Sequence, residues 1–128
     1  MTEKRFLKKS SIILLFLLCC NIGIYAKGKD YLVTAFGAVA DGKTLNTTAI
    51  QKAIDAAYKN KGGRVIVSKG KFLSGSIVLK DNVELFFEDG AILLGSINPN
   101  DYPKYEGIRA LVLAYNSKNI AIYRKRNY

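Results

Sequence analysis

Ten carboxylates, two cysteines and no histidine bound the chemistry open to this chain. The closest acidic pair is Glu88-Asp89, followed by Gly90. Neighbouring residues of an extended segment point to opposite faces, so these two carboxylates would not converge on one bond. They read as a turn that solvates two charges. Asp41 before Gly42 is likewise a turn former, and Asp55 falls on the polar face of a helix. There is no Ser/His/Asp set, no Cys/His pair at metal-ligand spacing and no phosphate-cradling glycine loop. Clustered acids of the kind that hold calcium are also missing. The sequence therefore offers no catalytic, cofactor-binding or metal-ligating residue, and no cofactor is expected.

The elements that would position any site begin with a single amphipathic helix. Ile50, Ala53, Ile54 and Ala57, with Tyr58 alongside, form one apolar stripe on a 3.6-residue period. Thr48 with Gln51 three residues later reads as a capping box, and Asn46 or Thr47 are the competing caps. Lys59-Asn60-Lys61 brings cations to the negative end of the helix, and Gly62-Gly63 stops it. One stripe on one helix predicts a lid over about Thr48–Lys59. The preceding run, Val33 to Gly42, has no period and ends in the Asp-Gly turn pair.

After the helix come short β-runs: Arg64–Ser68, Lys71–Gly75, Ser76–Leu79, Val83–Phe87 and Ala91–Gly95. Turns of two to four residues separate them, too tight for αβ crossovers. Two architectures fit, a parallel β-solenoid or a meander of antiparallel hairpins. An internal echo favours the solenoid. Asn82-Val83-Glu84-Leu85 and Asn119-Ile120-Ala121-Ile122 share one pattern at an offset of 37 residues, and each follows an aliphatic strand and a polar turn. Between them Asn98–Tyr105, which holds both prolines, reads as a loop excursion.

Residues 1–26 differ in composition. Lys4, Arg5, Lys8 and Lys9 precede the apolar run Ile12–Cys20, and Ala26 offers a small residue for cleavage. The run is shorter than the roughly 20 residues that span a bilayer, so a secretory signal is expected over a membrane anchor. A lipoprotein signal acylated on Cys19 or Cys20 is the third reading. Both cysteines lie here, so the mature chain would have no disulfide and no thiolate metal site. Removing the leader leaves 16 basic against 9 acidic residues, and setting aside Arg124, Lys125 and Arg126 leaves 13 against 9. That mild balance does not suggest nucleic-acid binding. No membrane contact is expected after signal removal, and the mature chain is expected in the periplasm or outside the cell.

Longer stretches carry a resemblance. Phe36–Gly42, Asn46–Ala57, Gly62–Val67 and Gly70–Ile77 strongly resemble the start of polygalacturonase-type glycoside hydrolases of the pectin-lyase-like superfamily. Leu94-Gly95-Ser96 with Asn98–Pro103 is similar to bacterial exo-acting or rhamnogalacturonan-acting members. The resemblance covers roughly Tyr31 to Tyr123, and its opening module is shared with pectate-lyase-like and phage tailspike β-helices. It implies an all-β right-handed parallel β-helix, with the Thr48–Lys59 helix capping its N-terminal end. The resemblance also implies a polysaccharide partner, pectin or polygalacturonate, hydrolysed by aspartates on successive coils. The family's Asn-Thr-Asp, Asp-Asp, Gly-His-Gly and Arg-Ile-Lys motifs are absent here.

Two function classes follow. One is the N-terminal part of a secreted pectin-degrading hydrolase, inactive as given. The other is a non-catalytic β-helix module that binds carbohydrate or forms a surface stalk. The organisation expected is a signal peptide at 1–26, β-helix at 27–123 and an off-family tail at 124–128. Similar proteins continue after Tyr123 with Gly-Lys-Gly-Thr-Ile-Asp-Gly. One inserted A turns GGA-AAA-GGA-ACT-ATT-GAT into AGG-AAA-AGG-AAC-TAT-TGA, which encodes Arg-Lys-Arg-Asn-Tyr and a stop. The tail is therefore expected to be the product of a frameshift, in the gene or in its sequencing.

Overall fold

A computed structural model describes residues 28–126. The expected leader at 1–26, and Asn127 and Tyr128 of the tail, lie outside the described residues. The elements are β1 (Asp30–Leu32), a 3-10 turn (Val33–Phe36), β2 (Asp41–Leu45) and α1 (Thr47–Lys59). Then follow β3 (Gly63–Val67), β4 (Gly70–Ser74), β5 (Ile77–Leu79), β6 (Val83–Phe87) and β7 (Ala91–Gly95). A second 3-10 turn (Pro99–Asp101) precedes β8 (Val112–Ala114) and β9 (Ala121–Arg124).

Every strand pairing is parallel, in three sheets ordered β1-β3-β6-β9, β2-β4-β7 and β5-β8. Successive strands belong to different sheets, so the chain winds as a parallel β-helix and the hairpin meander is excluded. Val65 pairs with Leu85, a step of 20 residues, and Phe72 with Leu93, a step of 21. Those steps are the bare coil. The echo of 37 is a true coil register, because Leu85 pairs with Ile122. It is long because residues 96–111 leave the coil and return. The first coil is long for a similar reason: Tyr31 pairs with Val65, and α1 is the insertion.

The core lies inside the coil. Inward-facing Val65, Val67, Phe72, Ile77, Leu79, Val83 and Leu85 are fully or almost fully buried. Over its first turn sits α1, burying Ala49, Ile50, Ala53, Ile54 and Ala57. The predicted stripe is therefore the contact face, and the helix caps the coil against the Val33 turn, β3 and β5. Tyr58 departs from the prediction. It is 47% exposed, with the Lys80 ammonium 5.5 Å from its ring centroid.

The helix ends also correct the sequence reading. No capping box forms, and Asn46 occupies the cap position without a side-chain cap bond. The buried Asn46 amide instead accepts from Val39 N–H at 2.8 Å and donates to Val39 O at 2.9 Å. Thr47 Oγ1 accepts from Gly75 N–H, at 2.8 Å. Gln51 reaches to β5, donating to Val78 O at 3.1 Å and accepting from Val78 N–H at 2.8 Å. Thr47 and Gln51, which would cap an isolated helix, here bind it to the next coil, while Asn46 ties it to the segment before it. At the other end the left-handed residue is Lys61, φ 64°. Gly62 N–H donates to Ala57 O and Lys61 N–H to Tyr58 O, the paired bonds of a Schellman motif.

Sequence periodicity misses two strands, β1 and β2. In β2, Asp41 pairs with Lys71 and Leu45 with Leu73, so extra residues bulge between the two pairings. The last strand runs one residue beyond expectation. Arg124 pairs with Phe87, and Lys125 N–H donates to Phe87 O at 3.0 Å, so the first tail cations continue the ladder. Among the described residues no helix is long and apolar enough to cross a membrane.

Candidate functional site

The acids singled out in the sequence are dispersed by the coil. Glu88 and Asp89 form the turn between β6 and β7, where Ala91 N–H closes on Glu88 O at 3.1 Å. Asp41 stands on the second sheet and binds its own turn: Thr44 N–H at 2.8 Å, Thr44 Oγ1 at 2.7 Å and Lys43 N–H at 2.9 Å. Those bonds, the Thr44 amide foremost, hold its carboxyl down to about 2. Asp55 accepts from Gln51 at 3.1 Å and pairs with Lys80 at 2.6 Å. Burial works to raise its carboxyl, but the Lys80 and Gln51 hydrogen bonds and the nearby lysines outweigh it, and the net shift is downward. A general acid for glycoside cleavage needs the opposite shift. Among the described residues no three Cys, Asp or Glu side chains gather as a metal site.

What the fold brings together is the outer face of the first sheet. Parallel register puts Asp30, Arg64 and Glu84 side by side on β1, β3 and β6. Arg64 donates to both Asp30 oxygens, Nε at 2.9 Å and Nη2 at 2.7 Å. The Asp30 hydrogen bond raises the guanidinium further above its ordinary range. The same guanidinium lies 4.8 Å from the Phe86 ring centroid. Phe86 pairs with Tyr123 across β6 and β9, their ring centroids 5.0 Å apart. Tyr123 hydroxyl donates to Glu84 at 2.9 Å. Its phenol is raised by desolvation and then by Glu84.

Beside this ladder runs a groove of about 790 Å³. It follows the corner where each coil enters the sheet, from Lys29 past Lys61 and Asn82 to Asn119. Its floor is backbone. A Cβ on Gly62 would lie 2.6 Å from Asn82 O, and one on Gly63 would lie 2.7 Å from Lys29 O. Asn82 and Asn119 occupy equivalent coil positions, both at φ 61°. Asn119 Nδ2 donates to Asn82 Oδ1 at 3.0 Å. A second groove, of about 610 Å³, separates α1 from the 96–111 excursion. Its carboxylates are engaged as well, Asp55 by Lys80 and Asp101 by Ser96.

Arg64, Glu84 and Tyr123 escape a sequence reading because they are scattered along the chain. The 20-residue coil step would have found Arg64 and Glu84, since Gly63-Arg64-Val65 and Val83-Glu84-Leu85 then align. These groups can bind a polar ligand. They do not include a free acid and base facing one another.

Fold and face together define a capped parallel β-helix with a polar groove along its first sheet. The sequence model described as rhamnogalacturonase A/epimerase, pectate lyase-like, matches residues 32–91. An exo-poly-α-D-galacturonosidase of Dickeya chrysanthemi is 51% identical over 71 residues, 56% of this chain and 12% of that protein. Alginate lyase 7 of Azotobacter vinelandii is 44% identical over 62 residues, 42% of this chain and 7% of that protein. The solved family 28 exopolygalacturonase of Yersinia enterocolitica superposes with a TM-score of 0.68 at 40% identity, over 77% of this chain and 20% of that one. Over residues 32–91 the chain is similar to pectate lyase-like β-helix proteins, and galacturonosidases are among the relatives and solved structures it resembles. It spans a small share of the length of the relatives it matches.

Proposed function

We propose that this chain is the capping, coil-starting part of an exported pectin-degrading glycoside hydrolase. The observation that carries this reading is the 51% identity to a galacturonosidase over 71 residues. In this reading α1 closes the end of the coil and sets the register of the sheets. The reacting carboxylates belong to coils outside these residues, and the chain alone hydrolyses nothing. The two carboxyls here with displaced titrations, Asp41 and Asp55, are both displaced downward, away from general-acid use. The leader motif at 1–26 supports export. A second reading, action on alginate, draws on the 44% identity to alginate lyase 7; both readings have a polyuronate as substrate.

A graft tests the choice. The matched 71 residues of this chain replace their counterparts in the Dickeya galacturonosidase, and the matched 62 replace theirs in the Azotobacter lyase. The pectin reading expects the first chimaera to keep its host's activity. A folded but inactive galacturonosidase chimaera beside an active lyase chimaera would move the assignment to alginate.

A further inference from the structure

We infer that the open edge of β9 takes an extended acidic peptide as a further strand, with an apolar side chain over Ile122 and a carboxylate over Arg124. β9 ends the first sheet: β6 lies on one side, and among the described residues no strand lies on the other. Lys125 N–H is given to Phe87 O on the β6 side. Main-chain direction alternates along a strand, so the N–H and C=O groups of Ile122 and Arg124 point to the open edge. An edge of this kind is a template for a strand from another chain.

Side-chain register decides which strand. Ile122 continues the inward column of Val65 and Leu85. Those two are fully buried, whereas Ile122 is 54% exposed, so an apolar side chain on the next level would cover it. The neighbouring inward column runs Val67, Phe87, Arg124. Val67 is buried and Phe87 packs on the core, so that column ends in a cation. A strand laid over the edge would cover the guanidinium, and a covered charge needs an opposite one. Arg124 makes no ion pair among the described residues. Lys125 and Arg126 are exposed beside it and add to the positive field. Inward positions alternate along a strand, so the ligand's apolar residue and its carboxylate stand two residues apart.

A second copy fits this edge less well. Tail to tail, it would bring the same three cations against Arg124, Lys125 and Arg126. Head to tail, it would meet α1, which covers the first turn of the coil.

The test uses the full chain and fluorescein-labelled peptides, read by anisotropy. The probe Thr-Thr-Val-Thr-Glu-Thr-Thr places its valine and glutamate on one face. Thr-Thr-Val-Glu-Thr-Thr-Thr has the same composition and charge but puts them on opposite faces. The first should bind at least tenfold more tightly than the second. Arg124→Glu alters an exposed side chain and should leave the melting temperature unchanged. It should weaken the probe at least tenfold and gain binding of the lysine version, Thr-Thr-Val-Thr-Lys-Thr-Thr. Lys125→Gln, on the outer face, should weaken the probe no more than threefold. The proposal is overturned if neither acidic peptide binds the folded chain, if the two bind alike, or if Arg124→Glu still prefers the acidic probe. A chain that sediments as a dimer and ignores the peptide would give the edge to a second copy, and would overturn it as well.

Discussion

Asp41 gathers three donors from its own turn, Thr44 N–H, Thr44 Oγ1 and Lys43 N–H. Its carboxyl falls from 3.8 to about 2, chiefly through the Thr44 amide. A depressed folded pKa means that its stabilisation is complete above the unfolded value near 3.8 and is lost as pH falls through about 2. Carbon-detected NMR titration should place the Asp41 midpoint well below that of an unfolded-chain aspartate. A midpoint at or above 3.8 would mean that the turn bonds do not form. Gln51 is the other polar residue with a defined load. Gln51→Ala leaves Val78 N–H and C=O without their partners and should cost about 1–3 kcal/mol in denaturant unfolding. If Gln51 served only as a helix cap, Glu would substitute without loss. The tether account expects Gln51→Glu to be destabilising too, because a carboxylate cannot donate to Val78 O.

At the scale of elements, the helix is the part the sequence made most legible. Its stripe repeats at 3.6 residues and has one face to bury, so Ile50, Ala53, Ile54 and Ala57 could be named without coordinates. Ile54→Asp should unfold the chain or cost more than about 4 kcal/mol, since it puts an unpaired charge into a dry contact. Lys52→Asp, on the exposed side, should change thermal melting little, within about 0.5 kcal/mol. Equal effects of the two would refute the cap. The strands after the helix were readable as short runs bounded by turns. β2 was not, because it is polar, bulged and exposed, and its pairing comes from the neighbouring coil rather than from its own pattern. The failed capping box has the same cause. Local rules assign Thr48 and Gln51 to each other, but tertiary partners 27 residues away offer Gln51 two backbone bonds. The site was the least legible of all. Asp30, Arg64 and Glu84 meet only after coil steps of 34 and 20 residues are known.

For the whole molecule, one repeating coil accounts for both insertions. The first coil is lengthened by α1 and the third by residues 96–111, and the first and third sheets keep their parallel register through both. Gly75 marks where the excursion is pinned. An added Cβ would meet Asp101 O at 2.1 Å, and Ser76 N–H donates to that oxygen at 3.0 Å. The proposed export through the leader motif predicts that N-terminal sequencing of secreted material begins at Lys27; recovery of cytosolic protein that keeps Met1 would reject that step. The central claim is that these coils supply architecture and not the glycosidic chemistry. Reducing-end release from polygalacturonate by the purified 128-residue chain measures this most directly. No release above the buffer level is predicted, and steady release that copurifies with the chain would place a working pair of carboxylates within these coils and contradict the account.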